Sequence, residues 1–117
     1  MVAKGYGILN NVSGKVIAER IVDRFFLTKG IKLRASKGYV DRFMGNVPVE
    51  IKSKIISHIK PKYKYWFQIT TKGQENYLVD IFRHKKPFKL VCVFFVDSNL
   101  KDYIVEEVRE AGAKLAE

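Results

Sequence analysis

The sequence predicts an α/β (α+β) fold in which helices flank a mixed β-sheet, and three observations support this prediction. Helical and strand-like hydrophobic spacings follow one another along the chain in the order α-β-β-β-β-α-β-α. The run from Phe88 to Val96 is almost continuously apolar, which is typical of a strand buried on both faces. A length of 117 residues suits one hydrophobic core, so residues 1–117 are predicted to form a single domain.

The first part of the chain is predicted to form one helix and one short strand. Residues 1–12 have little periodicity and are expected to be a basic tail or loop, with Ser13 as the helix N-cap and Gly30 as its stop. A short strand over residues 31–34 and a loop over residues 35–38 should follow. The inner stripe of the helix has spacings of three and four: Val16, Ile17, Ile21, Val22, Phe25 and Phe26.

The second part alternates between strands and helices. Residues 54–64 are basic and interrupted by a proline, which indicates a strand extension and a loop, and residues 65–69 have strand composition. Thr71, followed three residues later by a glutamine, resembles a capping box that opens a helix to about Lys85. Cap-type residues 97–99 precede a predicted last helix, whose inner stripe would be Leu100, Ile104, Val108 and Ala111.

A predicted hairpin over residues 39–54 carries the most informative charges. The Gly-Asn dipeptide at residues 45–46 is favoured in two-residue hairpin turns. The pairing that follows from this turn sets Asp41 opposite Glu50, with Lys52 on the same face. Like charges directly opposite one another destabilise a sheet. A divalent cation between the two carboxylates would remove the conflict, so the hairpin predicts a metal site.

The positive charge of the chain is concentrated before residue 97. The formal net charge is +10, and residues 97–117 hold six acids and three bases. Residues 1–96 therefore hold 19 bases and six acids, a net charge of +13. Such an excess favours a polyanionic partner, most simply nucleic acid. The alternative is a basic surface that only aids solubility.

Composition also predicts where the protein is found. No apolar run approaches the roughly 20 residues of a membrane span, and the N-terminal residues lack the apolar stretch of a signal peptide. Cys92 lies within an apolar run and is interpreted as a buried small hydrophobe, neither a ligand nor a disulfide partner. We therefore expect an intracellular (cytoplasmic) protein that has no membrane segment.

The hairpin and an upstream glutamate resemble the PD-(D/E)xK nucleases. Asp41 is followed after eight residues by Glu-Ile-Lys-Ser at residues 50–53, and Glu19 lies on the helix upstream. Within that superfamily the chain is most similar to archaeal Holliday-junction resolvases, whose helix carries a glutamate after a basic, glycine-containing N-terminus. The resemblance covers residues 12–96. It departs from the family at Val40, where a proline usually precedes the aspartate.

This resemblance implies a restriction-endonuclease-like core, with Glu19, Asp41, Glu50 and Lys52 as catalytic residues. Asp41, Glu50 and the backbone carbonyl of Ile51 would bind Mg²⁺, for which Mn²⁺ can substitute, with Glu19 as a further ligand, direct or through water. Lys52 would orient or activate the attacking water, or stabilise charge developing on phosphorus. A branched DNA substrate is implied, as is a homodimer that cuts two strands symmetrically, without any small-molecule cofactor.

Other residues around the hairpin are candidates for DNA contacts. Gln68 is either an active-site neighbour, as the resemblance implies, or an ordinary polar residue on a half-exposed strand. Nearby aromatic residues at positions 63, 65 and 66 are expected to belong to the core. The candidates for binding the DNA backbone are Lys4, Lys15, Arg34, Ser36, Lys37, Lys54, Lys60, Lys62 and Lys64.

The function expected from the sequence is that of a metal-dependent DNA endonuclease, specifically a structure-selective Holliday-junction resolvase. Two alternatives remain open. The first is another PD-(D/E)xK nuclease of the repair or restriction type. The second is a catalytically inactive, basic nucleic-acid-binding protein, in which the four charged residues of the motif are surface charges.

Overall fold

The computed structural model describes residues 2–69 and 71–115, with side-chain surroundings for residues 14–69 and 71–112. These residues form a mixed α+β fold with two helices and a five-stranded mixed sheet. The elements follow in the order α1 (Val2–Leu27), β1 (Arg34–Ala35), β2 (Arg42–Met44), β3 (Val47–Ile55), β4 (Trp66–Ile69), α2 (Lys72–Arg83), β5 (Lys89–Phe95), β6 (Tyr103–Val108) and β7 (Gly112–Leu115).

The five-stranded sheet has the strand order β1-β2-β3-β5-β6. Strands β3 and β5 are parallel, whereas the other neighbouring pairs in this sheet are antiparallel. The connection from β3 to β5 includes β4 and α2, and β4 pairs in parallel with β7 in a separate two-stranded sheet. The small sheet packs through Phe67 of β4 against one face of the five-stranded sheet.

The interior strand β5 is buried on both faces, as predicted. Residues 91–95 are at most 1% exposed. Side chains alternate between the faces of a strand, so Cys92 and Phe94 pack against Phe67 of β4, on the face opposite α1. The cluster on the α1 face contains Ala18, Val22, Phe26, Leu33, Val49, Ile51, Val91, Val93 and Phe95.

The predicted hairpin turn and its register are confirmed. Gly45 has a φ of +60°, which the turn requires and glycine adopts readily, and the strands on either side pair as expected. The ladder begins at Arg42, so Asp41 lies one residue before β2, outside the predicted backbone pairing with Glu50. The Asp41 N–H donates to the Val49 carbonyl oxygen (3.2 Å), which still holds Asp41 against β3.

The predicted N-terminal tail is wrong for the described residues. Helix α1 begins at Val2, so residues 2–12 are helical and Ser13 is not an N-cap. The two glycines in this segment, Gly5 and Gly7, each disfavour a helix by only about 1 kcal/mol relative to alanine. No proline interrupts the segment, so the backbone of α1 continues without a break from Val2 to Leu27.

The predicted last helix is also wrong. Residues 103–108 form β6, which pairs antiparallel with β5. Leu100 has a φ of +58°, in the left-handed region that a right-handed helix does not include. Ile104 and Val105 are β-branched and favour the extended backbone that an edge strand beside β5 provides. The helix expected on this side of the sheet is therefore replaced by a strand.

The remaining predicted elements are present with shifted bounds. The first strand is at residues 34–35 instead of 31–34, the strand after the motif begins at Trp66, and α2 ends at Arg83. Among the described residues, no helix is long and apolar enough to cross a membrane.

Candidate functional site

Asp41 lies where α1, β2 and β3 meet. Its Oδ2 accepts hydrogen bonds from the backbone N–H of Ile51 in β3 (2.8 Å) and from Lys15 Nζ in α1 (2.9 Å). Burial alone would raise the pKa of its carboxyl group. Hydrogen bonds with Glu50, Lys15 and the Ile51 N–H outweigh that effect and hold the pKa below its usual value. Asp41 is therefore negatively charged at neutral pH.

Glu50 lies on β3 beside Asp41 and is only 6% exposed. Its Oε2 accepts a hydrogen bond from Gln74 Nε2 (2.9 Å), and the carboxyl groups of Glu50 and Asp41 are hydrogen-bonded to each other. Burial and the hydrogen bond and charge of Asp41 raise the pKa of Glu50 to about 7, although the charges of Lys52 and Lys15 act in the opposite direction. The close approach of two carboxyl groups predicted from the hairpin is thus present, and the pair holds a proton near neutral pH.

Lys52 completes the hairpin part of the site. Its Nζ lies 3.5 Å from Glu50 Oε2 and donates to the backbone carbonyl oxygen of Gln68 in β4 (2.8 Å). The Gln68 residue itself is exposed. Lys52 and the two carboxylates line one open cleft of about 860 Å³, which is large enough to admit a phosphate group of a polymer.

Lys15 occupies a position that the sequence did not predict. Besides its bond to Asp41, its Nζ donates to the backbone carbonyl oxygen of Ile51. The sequence suggested that Lys15 contacts the DNA backbone. In the structure it is instead bound to the carboxylate and the carbonyl oxygen that were expected to hold a metal ion.

Glu19 is engaged in a separate ion-pair network on the α1 side of the sheet. Its Oε1 accepts from Arg42 Nη1 (3.2 Å), and Arg42 also binds both carboxylate oxygens of Asp23 (3.1 and 3.2 Å). Arg42 in addition donates to the backbone carbonyl oxygen of Asp41 (2.9 Å). Within the described residues, no three His, Cys, Asp or Glu side chains form a group that could hold a metal ion. A role for Glu19 as a ligand thus stays a prediction.

Arg42→Met is expected to lower the free energy of unfolding by about 2 kcal/mol, because it leaves Glu19 and Asp23 partly buried without their cation. Urea denaturation would measure the change. Arg34→Met is the matched control on β1, where the guanidinium donates to the Gly45 carbonyl and is exposed, and should cost less than about 1 kcal/mol. Equal losses in both variants would show that the Arg42 network contributes no more than a surface contact.

The residues expected to bind DNA differ in how their polar groups are engaged. Lys54 points inward, where its Nζ donates to the backbone carbonyl oxygens of Tyr63 and Trp66, and burial lowers its pKa. Arg34 donates to the carbonyl oxygen of Gly45 (3.0 Å). Five others are partly or fully exposed, namely Ser36, Lys37, Lys60, Lys62 and Lys64. The side chain of Lys4 lies outside the part of the chain whose side-chain surroundings are described.

The aromatic residues beside these lysines are on the surface, which corrects the expectation that they belong to the core. Tyr63, Tyr65 and Trp66 are all exposed, and Trp66 reaches 52%. Strand alternation explains this for Trp66, because Phe67 takes the inward position on β4. Exposed aromatic rings next to lysines are the combination that stacks with bases while binding phosphates.

Gln74 is the second site residue that sequence reasoning missed. Its Nε2 donates to Glu50 Oε2 (2.9 Å) and to the Tyr39 carbonyl oxygen (2.8 Å). Thr71 Oγ1 accepts from the Gln74 N–H (3.1 Å), which is the N-cap bond of the predicted capping box, and Gln74 Nε2 donates to Glu50. Gly73 next to it lets Tyr39 pack closely, because a Cβ there would lie 2.8 Å from the Tyr39 hydroxyl oxygen. The signal available in the sequence was the position of this glutamine at the start of the helix after the motif.

Comparison of the chain with protein-family models, with curated proteins and with solved structures finds no match. The functional assignment therefore depends on the geometry and charge of the cleft and on the motif in the sequence.

Proposed function

We propose that the protein is a metal-dependent DNA endonuclease that hydrolyses phosphodiester bonds in this cleft. The observation that carries the proposal is the convergence of the Asp41 carboxylate, the Glu50 carboxylate and the Ile51 carbonyl oxygen, with Lys52 beside them. A net charge of +10 and the exposed aromatic residues near the cleft suit a nucleic-acid substrate.

The oxygen atoms of the site fit Mg²⁺, or Mn²⁺ in its place. Mg²⁺ is usually bound in proteins by one or two carboxylates together with several waters. Asp41 and Glu50 supply two carboxylates, and Ile51 adds a carbonyl oxygen. The donor set already binds one cation, the Lys15 ammonium group, on Asp41 and Ile51. A divalent cation would also relieve the proximity of the two carboxyl groups, which otherwise retain a proton near neutral pH.

The residues of the cleft would divide the reaction between them. A divalent cation supplies positive charge that polarises a phosphodiester and makes a water molecule more acidic. Asp41 and Glu50 would hold that charge in place, and Gln74 fixes the orientation of the Glu50 carboxylate. Lys52 would orient the attacking water or stabilise the negative charge that develops on the phosphate oxygens. Its bond to the Gln68 carbonyl keeps its ammonium group at the cleft.

We further propose that the substrate is branched DNA, most simply a four-way junction, and that the active form is a homodimer. The support for both is the similarity of the motif to Holliday-junction resolvases, since two symmetric cuts need two sites. A DNA substrate also implies an intracellular location. The two protomers would meet on a surface other than β5, because β5 lies between β3 and β6 and its residues 91–95 are buried.

The test compares cleavage of a labelled four-way junction and of a linear duplex of the same sequence, with Mg²⁺ or with EDTA. We expect Mg²⁺-dependent cleavage, faster on the junction, that falls at least about 100-fold in Asp41→Asn and Lys52→Ala. Asp80→Asn is the matched control, because Asp80 lies on the surface of α2 and pairs with Lys86. Equal cleavage by wild type and both site variants would eliminate this active site, and faster cleavage of the duplex would indicate a repair or restriction-type nuclease.

The second candidate function is a basic nucleic-acid-binding protein without catalytic activity. The observation in its favour is that protein cations already bind oxygen groups proposed as metal ligands: Lys15 binds Asp41 and the Ile51 carbonyl, and Arg42 binds Glu19. This function predicts salt-sensitive DNA binding with no cleavage in Mg²⁺ or Mn²⁺.

A further inference from the structure

The Lys15 ammonium group lies at the position where the proposed function requires a metal ion. It contacts Asp41 Oδ2 at 2.9 Å and also binds the Ile51 carbonyl oxygen. Asp41 directly precedes β2 and Ile51 lies in β3, and Lys15 reaches both oxygens from α1. A cation bound to both oxygens at once leaves no space for a second one at the same point.

Lys15 and a divalent cation are therefore alternatives for the same oxygen atoms. Both are attracted by an ionised carboxylate and a carbonyl oxygen, and two cations this close would repel each other strongly in a partly buried site. The Lys15 side chain is 37% exposed, lines the open cleft and has a flexible four-carbon stem. It has both the freedom and the space to leave the two oxygens without any movement of α1.

We propose that Lys15 is a displaceable internal cation: it holds Asp41 and the Ile51 carbonyl in place when no metal is bound, and it moves into the cleft when a divalent cation takes these oxygens. This inference rests on the metal site of the proposed function. It goes further because it assigns Lys15 two positions, one on the ligands of the metal and one beside Lys52, where a substrate phosphate would lie.

The two positions link metal binding to DNA binding. In the metal-free protein, the Lys15 ammonium group is bound to Asp41 and therefore contributes little to binding a phosphate. Once displaced, its ammonium group is available to DNA, so each ligand should strengthen the binding of the other. The reciprocal effect is an intrinsic consequence of linkage: bound DNA attracts Lys15 and thereby removes the competitor of the metal.

The experiment measures metal binding directly, through loss of the EPR signal of free Mn²⁺, in the full-length protein without DNA. Lys15→Met removes the ammonium group but keeps an unbranched side chain of similar length. We expect it to bind Mn²⁺ about tenfold more tightly than wild type, because a charge-assisted hydrogen bond no longer competes. Lys54→Met is the matched control: it removes a positive charge from the same cleft, but its ammonium group binds the carbonyl oxygens of Tyr63 and Trp66 and none of the proposed metal ligands, so it should change the affinity less.

A second measurement uses the junction DNA. Mn²⁺ should tighten DNA binding by wild type more than by Lys15→Met, as measured by fluorescence anisotropy at constant ionic strength. If Lys15→Met binds Mn²⁺ no more tightly than Lys54→Met, while Asp41→Asn abolishes binding, displacement is refuted and the metal site of the proposed function stands. If neither the wild type nor any variant binds Mn²⁺, the proposed function itself fails. Binding by Lys15→Met alone would support displacement and favour the non-catalytic function for the natural chain.

Discussion

Glu50→Gln is expected to stabilise the metal-free protein at about pH 8 by roughly 2–3 kcal/mol. A glutamine has the shape of the protonated glutamic acid. Its amide oxygen can accept the hydrogen bond of Gln74, and its NH₂ group can donate to the Asp41 carboxylate. At this pH the wild type has two adjacent carboxylates, of which Glu50 is buried and Asp41 half-buried, whereas the variant has one. The variant therefore removes the charge repulsion with Asp41 and the cost of burying a charge, which together raise the pKa of Glu50.

The stability gained by Glu50→Gln should increase as the pH rises. The folded-state pKa of Glu50 is raised from 4.5 to about 7, so its protonation stabilises the fold. That contribution is fully present below pH 4.5 and is lost as the pH rises through about 7. The advantage of the variant should accordingly be small at pH 4.5 and complete by about pH 8. The lowered pKa of Asp41 acts outside this window, because its stabilisation is lost only as the pH falls below 3.8.

Urea denaturation in EDTA across this pH range would measure the difference between variant and wild type. Glu75→Gln is the matched control, since Glu75 pairs with Lys72 on the surface of α2 (2.8 Å). Glu75→Gln should lower the free energy of unfolding by less than about 1 kcal/mol, and this loss should not change with pH as the effect of Glu50→Gln does. A Glu50→Gln protein less stable than wild type at about pH 8 would contradict the expectation that ionised Glu50 destabilises the fold.

The same substitution should lower Mg²⁺-dependent cleavage at least about 100-fold, since a neutral amide replaces one of two anionic ligands. A protein that becomes more stable while losing activity cannot be inactive through misfolding. Natural active sites often retain destabilising charges of this kind, and replacing them commonly exchanges activity for stability.

Phe95→Ala and Phe94→Ala should each lower the free energy of unfolding by about 3–5 kcal/mol, a large part of the 5–15 kcal/mol typical of a domain. Both side chains are at most 1% exposed, and each substitution would leave a cavity. The neighbours they lose are different. Phe95 packs in the α1 cluster, whereas Phe94 packs with Phe67 of β4 and against the ring of Tyr65 (centroids 5.9 Å apart).

Hydrogen exchange would distinguish the two variants. Phe95→Ala should speed exchange of the amides of α1, and Phe94→Ala should speed exchange in β4 and β7. Phe82→Ala is the control, because Phe82 is 63% exposed on α2 and its loss should cost less than about 1 kcal/mol. If Phe94→Ala leaves β4 and β7 as protected as in wild type, the small sheet does not depend on its packing against β5.

Features that depend on neighbouring residues were predictable from the sequence. The Gly-Asn turn sets the register of β2 and β3 within a few residues, and a threonine placed three positions before Gln74 sets the start of α2. The buried strand β5 was predicted from a nearly continuous run of apolar residues. The approach of Asp41 to Glu50 was predicted from that register and is present, although Asp41 lies one residue before β2 and outside the backbone pairing.

Features decided by distant partners were not predictable. Residues 100–111 have apolar positions at helical spacing, yet β6 forms there because pairing with β5 satisfies its backbone. The contact of Lys15 with Asp41 spans 26 residues, and nothing local distinguishes Lys15 from the other lysines. Glu19 lies on α1, as predicted, but its ion pair is with Arg42, 23 residues away in the sequence.

The buried thiol of Cys92 has a practical consequence. The Cys92 side chain is 0% exposed in β5, and burial raises the pKa of the thiol to about 12. Alkylating reagents react with the thiolate form of cysteine, and in the folded protein this form is both rare and buried. Modification of the single cysteine therefore requires β5 to open. Mass spectrometry of thiol labelling can follow that opening in the natural chain, and in each variant above, without an engineered probe.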